Sequence, residues 1–321
     1  MFHLKDRKKN NRDSFHHIYA EDERLQTAIS LAKKVAATNY TVSILGESGT
    51  GKDLMSKAIH AASDRADKPF VALNCGGITE SLANSELFGY EGGAYTGAKQ
   101  SGHPGVFEQA NNGTLFLDEI AELSMDNQTT LLRVLEDFQV KRIGSTKTVP
   151  VDVRLITATH TDLWEKVKAG TFRSDLFFRL QGVSIFLPAF RERTDRLSFA
   201  KFLLKDIANE LNINNLRLSD DVVQFINNYS WPGNIRQVKS ALREAAFLCQ
   251  DHIITGDDFP FYIRKEHHSL PTTGSLLKDK ENEVIMEVMH KTKGNISEAA
   301  RILGIGRTTL YKKLQTLSEK K

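Results

Sequence analysis

Ten residues constrain this chain more than any others: Ile44-Leu-Gly-Glu-Ser-Gly-Thr-Gly-Lys-Asp53. A β-branched run from Thr41 to Ile44 leads in, and Gly46, Gly49 and Gly51 let the backbone turn tightly before a helix begins. The pattern predicts a strand, a phosphate loop and a helix start. The spacing G-x-x-x-x-G-K arranges backbone N–H groups around a polyphosphate, with Lys52 reaching the β and γ phosphates and the helix N-terminus adding partial positive charge. Alone, a Gly-rich loop before a helix could be only a tight turn. The Gly-Lys register after a β run favours a nucleotide, so Gly46, Glu47, Ser48, Gly49, Thr50, Gly51, Lys52 and Asp53 form the candidate binding loop. Asp53 stands where a Ser or Thr usually meets Mg²⁺, so the metal is expected mainly from elsewhere.

The run Gly113-Thr-Leu-Phe-Leu-Asp118-Glu119 supplies a candidate for that metal. Apolar β-compatible residues ending in two acids describe a buried parallel strand with carboxylates at its C-terminal edge, where open α/β sheets bind ligands. An Asp-Glu pair there can simply cap the next helix. After a phosphate loop it reads as the second half of an ATPase site, Asp118 suited to Mg²⁺ through water and Glu119 to orienting the attacking water. Val151 to Ala158 alternates into another strand that ends at Thr159 and His160; a polar residue at that strand end can sense a γ phosphate, while a lone His is more often just hydrogen-bonded packing. Arg173 and Arg179 flank apolar residues; they either reach a neighbouring subunit's phosphates or pair on the surface with acids such as Asp175.

Around these motifs the chain divides readily. Residues 1–14 are basic and polar and read as a flexible tail, and 15–190 as an α/β core with strands and amphipathic helices alternating. One helix uses Leu25, Ala28, Ile29, Ala32 and Val35; the helix after the phosphate loop uses Leu54, Ala58 and Ile59. Residues 191–258 lose the β character and read as a helical lid, with Trp231-Pro-Gly-Asn-Ile-Arg236 turning into its last helix; 259–275 is a linker. Residues 276–321 read as a small all-α helix-turn-helix, with Gly304 at the turn and a shared core of Ala299, Ala300, Leu303, Ile305 and Leu310. Its last helix carries Arg307, Thr308, Thr309, Tyr311, Lys312 and Lys313, so the basic charge has a location. A net charge of +3 does not by itself declare nucleic acid as a partner. Cys75 and Cys249 have no metal-ligand spacing, which fits a reducing cytoplasm, and no apolar run approaches the roughly 20 residues that span a bilayer.

One more segment stands apart. Glu86-Leu-Phe-Gly89 precedes Gly93-Ala94-Tyr95-Thr96-Gly97-Ala98, in which small residues enclose one aromatic. An aromatic on a hinged Gly-rich loop is unfavourable unless Tyr95 either touches a partner or folds back onto its own domain.

Taken in order, these motifs resemble those of the AAA+ activators of sigma-54 RNA polymerase, the bacterial enhancer-binding proteins, across about residues 20–317. The most specific match is the Gly93–Ala98 loop, against the family pattern G-A-F-T-G-A preceded by E-L-F-G. The resemblance implies an AAA+ P-loop ATPase using ATP and Mg²⁺, a helical lid and a Fis-type helix-turn-helix. It implies that Gly93, Ala94, Tyr95, Thr96, Gly97 and Ala98 touch sigma-54, and that Lys52 holds phosphates. Asp118 would hold Mg²⁺ and Glu119 would activate water. Asn74 becomes a switch holding the glutamate, Thr159 and His160 the first sensor, Arg236 the second sensor, and Arg173 and Arg179 the fingers given to the next subunit. Partners implied are the sigma-54 holoenzyme, double-stranded DNA upstream of a promoter, and further copies of the chain, from a dimer to a ring, with a hexamer expected. Tyr95 replaces the family's Phe, Asp53 its Glu, and Pro188-Ala189-Phe190 its Pro-Pro-Leu. Only about twenty residues precede the ATPase region where relatives often carry a sensing domain, so either a trans-acting protein regulates it or the chain is a shortened form. Two other readings stay open: a DNA-binding regulator of this family that no longer contacts sigma-54, and an AAA+ remodeller of other proteins.

Overall fold

The computed structural model describes residues 14–94, 99–263, 284–285, 288–289, 292, 295–307, 309–310 and 313–314. Residues 1–13 of the expected tail, Tyr95–Ala98, residues 264–275 of the expected linker, and Thr308, Tyr311 and Lys312 lie outside the described residues. The chain forms two compact units, 1–258 and 259–321.

The first unit opens with α1 (Glu23–Ala36), β1 (Val42–Leu45), α2 (Lys52–Ala61), β2 (Phe70–Asn74) and α3 (Glu80–Phe88). A short antiparallel pair follows, β3 (Gly89–Tyr90) with β4 (His103–Pro104), then α4 (Val106–Gln109), β5 (Thr114–Asp118) and α5 (Met125–Asp137). A second hairpin, β6 (Gln139–Lys141) with β7 (Thr148–Pro150), leads to β8 (Arg154–Thr159), α6 (Leu163–Lys168), α7 (Ser174–Leu180) and β9 (Val183–Phe186). Strands β2-β5-β8-β1-β9, in that order, make one five-stranded parallel sheet. The order follows from burial: β8 is buried throughout and β5 nearly so, as interior parallel strands covered on both faces must be, whereas β2 and β9 sit at the edges.

Strand alternation splits the core into two layers. Phe116, Ile156, Ile44 and Ile185 face α1 and α2, while Leu115, Leu117 and Leu155 face the layer holding Phe88, Leu131 and Leu176. Two expectations are corrected here. Leu54 is 43% exposed and the buried stripe of α2 is Met55, Ala58 and Ile59, because the helix begins at Lys52 and that phase faces the sheet. The strand expected from Val151 begins at Arg154, the preceding residues closing the β6–β7 hairpin. Arg154 itself is buried at the start of its strand, and its guanidinium donates to Val35 O and Ala36 O at 2.8 and 2.9 Å, satisfying carbonyls at the end of α1. Burial lowers its pKa to about 10.

The lid consists of α8 (Arg196–Leu211), β10 (Arg217–Leu218), α9 (Asp220–Asn228), α10 (Asn234–Leu248) and β11 (Ile253–Ile254), the two short strands pairing in parallel. Its centre is Trp231, fully buried, in edge-on contact with Phe190, Phe225 and Tyr229 and donating from Nε1 to Ile226 O at 3.0 Å. A strap ahead of α1 closes onto this body. Asp22, buried, caps α1 through the N–H groups of Arg24 and Leu25 and also accepts from Thr194 N–H at 2.9 Å. In return Asp195 accepts from the N–H groups of Glu21 and Asp22.

In the second unit α11 (Ile296–Leu303) is capped by the Asn295 side chain on Glu298 N–H and ends at Gly304 with φ of 66°. Its small core is Ile285, Ala299, Ala300 and Leu310, with Leu303 and Ile305 packed against it.

Candidate nucleotide-binding and hydrolysis site

The ends of β1, β5 and β8 bring together residues far apart in sequence. Gly46 N–H donates to Thr159 O at 3.3 Å, tying the phosphate loop to the end of β8. Lys52, 6% exposed, donates from Nζ to Gly46 O at 2.8 Å and Glu47 O at 3.3 Å, and stands 3.6 Å from a Glu119 oxygen. Glu119 leaves β5 in the left-handed region with φ of 51°, which swings its carboxylate off the strand line. The other carboxylate oxygen lies 2.6 Å from His160 Nδ1 and accepts from His160 N–H at 3.4 Å. Asp118 ends its strand beside this pair, accepting from Glu119 N–H at 3.0 Å; burial, then the neighbouring Glu119 charge, pushes its carboxyl pKa up. A partly desolvated acid pair next to a buried lysine suits a bound cation and polyphosphate better than it suits a helix cap.

Other expected residues fall differently. Asn74 lies opposite Asp118 in register, but its Oδ1 accepts from Gly76 N–H at 2.9 Å; the glutamate's partners are Lys52 and His160, in place of the Asn74 contact the resemblance implies. The amide caps the turn leaving its own strand, a local bond that forms at little entropic cost. Asp53 is 56% exposed and pairs with Lys57 at 2.7 Å, one helical turn on, so its side chain is on the outside of α2. Thr50 caps within the loop on Glu47 O, and Thr159, buried, accepts from Thr161 N–H and so stiffens the strand end. Arg173 stands at the N-cap position of α7 and makes a bidentate pair with Asp175 at 3.0 and 2.7 Å, while Arg179 donates to Leu135 O. Both arginines are engaged within their own chain: Arg173 in the surface pairing with Asp175 that the sequence left open as an alternative, Arg179 on a backbone carbonyl instead of an acid.

The lid meets the loop from the other side. Arg236 Nη1 donates to Ser48 Oγ at 3.3 Å. The Glu47 side chain turns away from the loop's cradle to form a bidentate pair with Arg191, at 2.8 Å on one oxygen, and accepts from Asn234 Nδ2 at 3.1 Å; hydrogen bonds from Arg191, then Asn234, hold its pKa down at about 2. Gly49, with φ of 79°, is required on two counts, since a Cβ there would lie 2.4 Å from Gly233 O. Sequence reasoning missed Arg191 and Asn234. The Pro-Gly-Asn turn signalled Asn234, whereas nothing local marks Arg191. A cavity of about 500 Å³, walled by Trp164, Phe177, Leu180 and Phe186, reaches Gly46, Glu47, Thr159 and His160 and has no Lys or Arg in its lining.

At the Gly93–Ala98 loop only Gly93 and Ala94 are described. Its base is fixed by Glu91 N–H donating to Ile143 O, by Ile143 N–H donating to Gly89 O, and by Arg142 bridging to Glu108 at 2.7 Å. In the C-terminal unit Arg307 and Thr309 are exposed and helical, and Lys313 is half-buried.

A parallel sheet in this strand order, with a phosphate loop after β1, an acid pair after β5 and a helical lid, defines an AAA+ P-loop ATPase fold. Residues 18–186 match the Sigma-54 interaction domain, 191–275 the AAA+ ATPase lid domain, and 276–317 the bacterial regulatory protein, Fis family. The chain belongs to the family of sigma-54-dependent transcriptional activators with a Fis-type helix-turn-helix. It is 42% identical over 90% of its length to the transcriptional regulatory protein ZraR of Salmonella typhimurium, and 37% identical over 98% to the acetoin dehydrogenase operon transcriptional activator AcoR of Bacillus subtilis. It spans 66% and 53% of those two relatives. A crystal structure of NtrX from Brucella abortus in complex with ADP matches 94% of this chain and 70% of its own at a TM-score of 0.74 and 33% identity. Among the described residues no helix is long and apolar enough to cross a membrane.

Proposed function

We propose that this chain hydrolyses ATP and uses the cycle to activate transcription by sigma-54 RNA polymerase from DNA held by its C-terminal unit. The observation that carries the reading is the meeting of Lys52, Glu119 and His160 at the ends of β1, β5 and β8. Lys52 binds the β and γ phosphates, the loop's N–H groups and the start of α2 hold the remaining charge, and Arg236 reaches them from the lid. Glu119 takes the proton of the attacking water, and His160, bonded to the same carboxylate, fixes where that carboxylate points. Asp118, with substrate phosphate oxygens, would hold Mg²⁺. No group of three or more metal-ligating side chains occurs among the described residues, and Mg²⁺ bound through one carboxylate and phosphates needs none. When bound, the ion supplies charge neutralisation at the phosphates.

Arg173 and Arg179 complete a neighbouring copy's site in a ring, and the Gly93–Ala98 loops press on sigma-54. Family membership and the near-intact G-A-Y-T-G-A pattern support this, and the fixed base of the loop gives it a rigid mount. The helix-turn-helix contributes Arg307, Thr308, Thr309, Tyr311, Lys312 and Lys313 to DNA; single modules bind weakly and salt-sensitively, so linked copies are needed. Cytoplasmic location follows from these partners.

In vitro transcription with sigma-54 polymerase, on a template carrying the protein's own site, tests the reading. ATP-dependent open-complex formation is expected, with Thr96→Ala abolishing it while ATP hydrolysis persists. Activation that survives Thr96→Ala would remove the loop from the mechanism. A footprint without DNA protection would favour a remodeller of other proteins.

A further inference from the structure

One side chain makes two of the hydrogen bonds that join the lid to the phosphate loop. Asn234 is fully buried and sits in the left-handed region with φ of 51°. Its Oδ1 accepts from Phe190 N–H at 2.7 Å, on the segment that carries the chain from β9 into the lid. Its Nδ2 donates to Ser48 O at 3.0 Å and to Glu47 Oε2 at 3.1 Å, both in the phosphate loop. A carboxamide offers an acceptor and two donors at once, and here all of that capacity reaches outside the residue's own helix. The rest of the junction is equally tight. Arg191, one residue beyond Phe190, holds the other side of Glu47, and the backbones of Gly49 and Gly233 touch too closely for any Cβ. Trp231 anchors the turn inside the lid.

We propose that Asn234 is a positioning residue that locks the phosphate loop to the lid, so that loop shape and lid orientation form one unit governing nucleotide affinity. The proposal rests on the nucleotide-binding reading above. Arg236 is two residues further along the same helix, so a shift of the turn moves Arg236 and the Ser48 carbonyl together. Nucleotide held by the loop thereby stiffens the lid, and a lid pulled away distorts the loop.

The substitution Asn234→Asp keeps the acceptor for Phe190 N–H and removes only the two bonds to the loop, setting a carboxylate against Glu47. Glu47→Gln in the same chain restores a donor to that pair. Titration of the full chain with a fluorescent ADP analogue, alongside melting followed by circular dichroism, reads the outcome. Asn234→Asp is expected to weaken ADP binding about tenfold, the worth of two net hydrogen bonds, and the double variant to recover to within about threefold of Glu47→Gln alone. Unchanged affinity in Asn234→Asp, or a double variant as weak as the single, overturns the proposal. If Asn234→Asp shows no melting transition, Arg191→Gln, at an exposed position, takes its place: weaker ADP binding at an unchanged melting temperature supports the lock, and unchanged binding overturns it. A wild-type chain that binds no ADP sinks the nucleotide-site reading itself.

Discussion

The phosphate-loop side of the site and the arginine edge at α7 are built on opposite principles. Lys52 is 6% exposed and Glu119 16%, each held by partners from distant strands or loops. Arg173 is 35% exposed, and its ion-pair partner, Asp175, stands two residues away on the same surface. Buried groups with fixed partners are pre-organised for a ligand; an exposed, solvent-screened pair is readily exchanged for a stronger acceptor. The contrast teaches that the chain holds Lys52 and Glu119 firmly, while the Arg173–Asp175 pair is the more easily exchanged.

Arg173→Ala attacks that contrast where its consequence is greatest. If the guanidinium serves a neighbouring copy, hydrolysis measured at saturating ATP and high protein concentration should fall by about 10³–10⁵, with ADP affinity unchanged. Hydrolysis that does not rise with protein concentration, together with an unaffected variant, would place both halves of the site within one chain.

Glu119→Gln tests the buried side. Loss of the general base should cost about 10²–10⁴ in kcat while KM for ATP stays near the wild-type value. A rise in KM without loss of kcat would make the carboxylate a binding group only.

The strap sharpens the comparison on the side of stability. Burial pushes the Asp22 carboxyl up, but hydrogen bonds from Thr194, Arg24 and Leu25 together outweigh it and bring its pKa down to about 2 in the folded chain. A folded pKa below the unfolded one stabilises above about pH 4 and is lost as pH falls toward 2. Asp22→Asn should therefore cost on the order of 2 kcal/mol at pH 7, with the difference in melting stability vanishing near pH 2. A cost independent of pH would mean that the carboxamide fails for reasons of shape.

The smallest effect is expected in the other unit. Arg307→Ala should lower the slope of log affinity against log salt by about 1 without changing ATP hydrolysis, measured by fluorescence anisotropy on the protein's own DNA site.

Much of this architecture was legible from residue order. The β run and glycines before Lys52, the apolar strand ending in Asp118-Glu119 and the Asn295 and Gly304 helix boundaries are local patterns, and each becomes the element expected of it; the region after residue 190 is mainly helical as expected but also holds the short β10–β11 pair, which no local pattern marked. The errors were also local: Leu54 fits a helical stripe as well as Met55 does until the sheet chooses a face.

Sequence by itself determined that this chain would make a phosphate loop, a buried acid-tipped strand, a helical lid and a small C-terminal helical unit, because backbone propensity and apolar periodicity act over a few residues. Only the tertiary structure decided that Glu119 is gripped by Lys52 and His160, that Asn74 and Asp53 turn elsewhere, that Arg154 closes the end of α1, and that Arg191 and Asn234 fasten the lid to Glu47. Those choices are made by buried polar groups seeking partners, and a donor's partner is fixed by where folding brings the chain together.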